Sequence, residues 1–214
     1  MKTFFDQYLI QPFVLLFFYL YSYFNDPGWA IIFATILLKI IALPIDYFSY
    51  LEEEKIKKIS KKINEQTKNI KDIIKKSEII SKIYKEENIH PFKNFLLQLI
   101  NLPIFIAFFL AIPKFLNNLN NTLFLNIINL KYPNIFLGSL VVLAQFYFVF
   151  YFSNPEHRKL ILFLIAAITP IFFILNSGLL IYILINMILV ILERKIIFTQ
   201  QINKRIISVE KNDS

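Results

Sequence analysis

A lysine in the middle of an apolar run is the residue best placed to do chemistry in this chain: Lys39 is the only charge between Trp29 and Ile45. A mid-helix ammonium costs roughly 2.5–3.5 kcal/mol to place in a bilayer, so by default it marks a hydrated cavity or a functional site. Thr35 stands one turn earlier on the same helical face. Gln98 and Asn101 share a face at i and i+3, and Tyr182 and Asn186 share one at i and i+4, while Gln145 and Thr169 are further polar groups inside apolar runs. If these surfaces converge, they offer a fixed cation ringed by amides and hydroxyls, suited to holding an acidic group without covalent chemistry. The competing readings are structural. Lys39 lies about 9 Å from the end of its run at ~1.5 Å per residue, within snorkelling reach of interfacial water, and single amides often serve as glue between helices.

Other chemistries drop out by residue count. The chain has no cysteine and 2 His, which excludes thiol nucleophiles, disulfides and cysteine-ligated metals and argues against a histidine metal site. Its 3 glycines, Gly28, Gly138 and Gly178, cannot make a phosphate-cradling loop. Neither a zinc-protease helix nor a nucleophile elbow can be written. No catalytic residue, metal ligand or cofactor is expected, and the chain is not expected to be an enzyme.

The elements that must position the polar residues follow from composition. At 57% hydrophobic residues in 214, the chain is too apolar for a soluble domain. Five apolar runs, Trp29–Ile45, Leu96–Ile112, Ile135–Phe152, Leu160–Leu175 and Leu179–Ile191, predict five membrane helices. All fall short of the ~20 residues of a typical span, so flanking residues must contribute or the bilayer must thin. Tyr8–Phe24 is aromatic but interrupted by Gln11 and Pro12 and fits an interfacial helix. A crossing there would move only the N-terminus inside. The large residues Tyr21 to Phe24 argue against cleavage as a signal peptide, so the segment is expected to be retained.

Between Phe48 and His90 the composition changes abruptly to Lys and Glu, with isoleucines at 56, 59, 63, 70, 73, 80 and 83. Their spacing predicts two amphipathic helices, broken at Gln66–Asn69, that pair as a coiled-coil hairpin. Glu156-His157-Arg158 reads as a short turn. Of the 23 basic residues, only Lys2, Lys114 and Lys131 fall outside when the N-terminus is placed outside. The positive-inside rule therefore selects N-out, C-in. The expected organisation is an interfacial amphipathic helix at 1–27, a five-span core at 28–197 that includes the cytoplasmic hairpin at 48–90, and a basic cytoplasmic tail at 198–214.

In order and spacing, these segments resemble the YidC/Oxa/Alb membrane-protein insertases. GWAIIFATILLKIIALPI is similar to that family's first core span, with its basic residue just before Leu-Pro. IYKEENIHP is similar to the end of its charged hairpin, LQLINLPIFIAFF to its second span and SGLLIYILINM to its last. The resemblance implies an all-α, polytopic insertase core with a hydrophilic groove open to the cytoplasm and sealed outside. It would place Lys39 in that groove, with Thr35 matching a polar groove position, and the polar residues Gln98, Asn101, Gln145, Tyr182 and Asn186 are the further candidates for the same substrate groove. Several positions differ: Lys39 stands for the usual Arg, Asn101 for Gln, Ile183 for an aromatic, Met187 for an amide, and Glu193 and Arg194 for a Gln pair.

The implied function is insertion of short-looped proteins into the bacterial inner membrane without nucleotide hydrolysis. The implied partners are nascent membrane proteins, the lipid bilayer, the ribosome and targeting factors, and optionally the Sec translocon. Lys57, Lys58, Lys61 and Lys62 are the candidate ribosome or targeting contacts, through electrostatics to RNA. Two alternatives remain from the residues themselves. A small transporter or channel component predicts internal repeats and a polar path through both leaflets. A membrane anchor presenting a coiled coil leaves Lys39 unexplained.

Overall fold

The computed structural model describes the backbone of residues 6–210 apart from 69, 71, 88–90 and 154. It describes the side chains of those residues apart from 52–54, 57, 58, 61, 62, 91–101, 155–157 and 197–210. Seven α-helices are described: α1 (Gln11–Phe24), α2 (Pro27–Thr67), α3 (Ile73–Glu86), α4 (Pro91–Asn117), α5 (Ile135–Phe152), α6 (Pro155–Phe172) and α7 (Ser177–Glu210). A π-helical turn, Asp6–Ile10, precedes α1, and two short strands, β1 (Leu123–Phe124) and β2 (Ile128–Asn129), lie between α4 and α5. Helix is thus the dominant structure, as the apolar runs predict, and the strands are a departure from a wholly helical chain. By packing, the chain divides into two units: one of Met1–Lys39 with Ala107–Ser214, the other of Ile40–Ile106.

Helix bounds differ from the sequence expectation where local chemistry overrides hydropathy. Helix α2 runs unbroken through Pro44, so the first apolar run and the first part of the charged stretch form one 41-residue helix. Helix α6 starts at Pro155, so Glu156, His157 and Arg158 are its first turn instead of a linking turn. Proline suits that position, because its fixed φ is helical and the missing N–H would be unpaired there. Helix α7 continues to Glu210, so most of the expected tail at 198–214 is helical backbone.

The larger unit is built around aromatics and small residues. Phe17 of α1 packs between Phe108 and Phe115 of α4, with ring centroids 4.8 and 5.2 Å away. Ala30, Ala34 and Ala111 are fully buried beside Ile31, Ile112, Leu116 and Leu180, and small residues there let backbones approach closely. Gly178 marks the tightest approach: a Cβ there would stand 2.8 Å from Leu116 Cδ1 and 3.1 Å from Ile112 Cγ2. The opposite faces are apolar but exposed, including Leu143 and Phe150 of α5 and Phe163, Leu164 and Ile168 of α6. Apolar surface on that scale needs lipid or protein to cover it. Two helical stretches among the described residues, Pro27–Leu51 and Ile135–Phe152, are long and apolar enough to cross a membrane.

In the smaller unit, Ile59 of α2 and Ile83 of α3 are buried against Ile56, Ile63, Ile79 and Tyr84. The pairing uses Ile79 and Ile83, four residues apart. Ile73, expected in the same stripe, is 82% exposed in the first turn of α3. There the chain is occupied with capping: Asp72 accepts from the Ile74 N–H at 2.9 Å.

Candidate functional site

The larger unit has two chemically distinct ends. At one, α2 and α7 both begin, and the loop between α4 and α5 ties them down. Asp26 Oδ1 accepts from the N–H groups of Gly28 and Trp29, while its Oδ2 accepts from the Leu125 N–H at 2.9 Å. One carboxylate therefore caps α2 and anchors the tip of the β1–β2 hairpin. Gly28 lies under the Phe124 ring so closely that a Cβ would fall 2.1 Å from Phe124 Cδ2. Ser177, fully buried, donates its N–H and its hydroxyl to the Tyr132 carbonyl, and the Gly178 N–H donates to Leu130. Lys114 at the end of α4 pairs with Asp6. Since Asp26 is held at this same end, the segment from Asp6 to Asp26 begins and finishes there.

At the other end stands the candidate site. Lys39 Nζ of α2 lies 2.8 Å from Glu193 Oε2 of α7, with side-chain exposures of 12% and 13%. Lys39 is about 18 Å along α2 from Pro27, and Glu193 about 24 Å along α7 from Ser177, at 1.5 Å per residue. The ion pair is thus far from the end at which α2 and α7 begin. Gln145 of α5 has a buried amide oxygen with no hydrogen-bond partner among the described residues. An unpaired group of that kind costs about 1–3 kcal/mol unless water or a bound polar group meets it. Asn186 is half-buried on α7, and Tyr182, Asn186 and Glu193 fall at i, i+4 and i+11, along one stripe of that helix. Beyond the ion pair, Lys195 stands 5.4 Å over the Tyr147 ring and Arg158 5.9 Å over the Phe150 ring, so this end is basic as well as polar.

The remaining expected site residues divide. Thr35 is buried and donates its hydroxyl to the Ile31 carbonyl at 2.7 Å, a bond made within its own helix. Tyr182 is buried with its ring 4.9 Å from that of Phe108, in the aromatic core. Thr169 likewise donates to its own helix, at Ile165. Gln98 and Asn101 lie on α4, and Lys57, Lys58, Lys61 and Lys62 on α2, but their side chains lie outside the described residues. Glu193 was visible in the sequence only as a departure from a Gln pair. The signal that points to it is its register: an acid seven residues past Asn186, just beyond the last apolar run, available to a mid-helix lysine. Among the described residues, no group of three or more His, Cys, Asp or Glu could hold a metal ion.

The sequence model of the 60Kd inner membrane protein family matches residues 19–205. The chain is 27% identical over 185 residues to the membrane protein insertase YidC of Wolinella succinogenes, covering 83% of this chain and 34% of that protein. It is 26% identical over 198 residues to the membrane protein insertase YidC of Wigglesworthia glossinidia brevipalpis, covering 89% and 37%. The chain thus spans about a third of the length of these curated relatives. Its fold is similar to that in the active YidC insertase crystal structure with the first transmembrane domain resolved. The TM-score is 0.68 at 22% identity, over 88% of this chain and 46% of the other.

Proposed function

We propose that this chain, which belongs to the 60Kd inner membrane protein family, inserts short-looped membrane proteins into the bilayer through a hydrated groove beside Lys39. The observation that carries the reading is the contrast within the larger unit: an ion pair deep between helices at one end, a sealed loop at the other. A polar tail entering from the open end would cross only part of the hydrocarbon. Its apolar helix would then partition sideways into lipid, against the exposed faces of α5 and α6. The acceleration comes from a shortened hydrophobic barrier and fixed charge, with no bond made or broken. A membrane potential, negative inside, would draw each acidic group outward by ~2.3 kcal/mol per 100 mV.

The topology that suits this reading has five spans from α2, α4, α5, α6 and α7, the N-terminus outside and the C-terminus inside. The segment 6–26 lies in the outer interface, an assignment supported by the attachment of both its ends at the sealed end. The hairpin of residues 48–90 and the end of α7 face the cytoplasm. There Lys57, Lys58, Lys61 and Lys62 meet the ribosome or targeting factors, and the Sec translocon is an optional neighbour. Depletion of the protein should abolish membrane insertion of a one- or two-span reporter with a short translocated tail. Unchanged insertion after depletion would remove the insertase reading. On this cysteine-free chain, Ser60→Cys should be labelled only from the cytoplasm and Asn120→Cys only from outside.

A further inference from the structure

Glu193 is a carboxylate already seated where an acidic residue of a passing tail would have to bind. Its Oε2 lies 2.8 Å from Lys39 Nζ, and the two side chains retain about an eighth of their exposure, so the pair is formed largely out of water. Lys39 therefore does not offer an unopposed positive charge, and a second carboxylate meets its ammonium in competition with Glu193. Removing one partner of such a pair leaves a poorly solvated charge, which is costly, whereas replacing a carboxylate by another carboxylate conserves the interaction. The exchange need not disturb the fold, because α2 and α7 are fastened at their other ends by Asp26, Ser177 and Gly178.

Resting on the insertase reading above, we propose that Glu193 is a specificity-determining competitor within the site. The Lys39–Glu193 pair is the resting state, and an acidic group of an inserting segment displaces Glu193 from Lys39. Tails without acids pass with the pair intact. Glu193 thus lowers the preference for acidic tails that Lys39 alone would create, and it does so as a positioning residue for the lysine. Specificity here is a difference between two affinities, one of them intramolecular.

The test uses the full chain in proteoliposomes and two reporters that differ only in having acidic or neutral tails, with all variants at equal membrane levels. Glu193→Gln should raise the acidic-to-neutral insertion ratio by about threefold or more, since coupling between close charges is commonly larger than that. Glu193→Asp, a shorter carboxylate, should raise it less, and Lys39→Gln should abolish the preference. The exchanged pair, Lys39→Glu with Glu193→Lys, should restore the wild-type ratio. An unchanged ratio in both Glu193 variants, or an equal loss for both reporters, would overturn the competitor role and leave the pair as a tie between helices. Wild-type protein that inserts neither reporter would instead overturn the insertase reading, and the competitor with it.

Discussion

The two ends of the larger unit solve opposite problems with similar residues. At the sealed end, Asp26, Ser177 and the backbone amides near them are paired with the chain itself, and glycines admit neighbours so closely that no space is left. At the other end, Lys39 and Glu193 are paired with each other, and on α5 Gln145 keeps a buried oxygen unmet among the described residues. Polar groups that are all satisfied internally close a structure. Polar groups satisfied by exchangeable partners leave it able to accept something else.

The contrast predicts that stability resides at the sealed end and activity at the other. Gly28→Val should have the largest effect, because its side chain would enter the Phe124 ring. A loss of roughly 3 kcal/mol is expected, read as a lower thermal transition in detergent or as failure to accumulate. A full yield of normally stable Gly28→Val protein would break the assignment of this end as the rigid one. Lys39→Glu comes next: it sets two carboxylates against each other at the ion pair, so insertion of an acidic-tailed reporter should fall by about tenfold, equivalent to ~1.4 kcal/mol. Thermal stability should fall less than for Gly28→Val, and Lys39→Arg should retain insertion. Equal insertion by Lys39→Glu and wild type at matched levels would remove the role of the charge.

Asp26→Ala removes the cap of α2 and the anchor of Leu125 together, for an expected loss of about 1–2 kcal/mol with little change in reporter preference. A shift in the acidic-to-neutral ratio would show that the two ends are coupled. The smallest effect is a gain. Leu125 and Asn126 hold φ at 51° and 59°, the pair of left-handed residues of a tight hairpin turn closed by the Ile127 N–H on the Phe124 carbonyl. Leucine is strained there, so Leu125→Gly should raise stability by up to ~1 kcal/mol, measured as a higher thermal transition. A lower transition would mean that the leucine side chain contributes more than its backbone costs.

Much of the chain was legible because membrane burial leaves a coarse signal. Long apolar runs must be helical where water is absent, and isoleucines at helical spacing must find a partner, so the helices and the seam around Ile59 and Ile83 follow from the order of residues. Lys39 stood out for the same reason, since its cost is independent of what lies across from it. Bounds such as the unbroken α2 through Pro44 were less legible, because hydropathy records where a helix meets lipid and not where its hydrogen bonds stop.

By itself, then, the sequence determined the helical character, the position of a costly cation and the lack of any thiol. Only the tertiary structure decided what meets what. That Glu193 faces Lys39, that Asp26 reaches Leu125 across 99 positions, and that Gly28 lies beneath Phe124 depend on distances between segments far apart in the chain. Local spacing carries no record of such distances. Thr35 shows the converse: its register beside Lys39 was readable, but its hydroxyl is spent on the Ile31 carbonyl, because in a dry helix the nearest acceptor is the backbone one turn back.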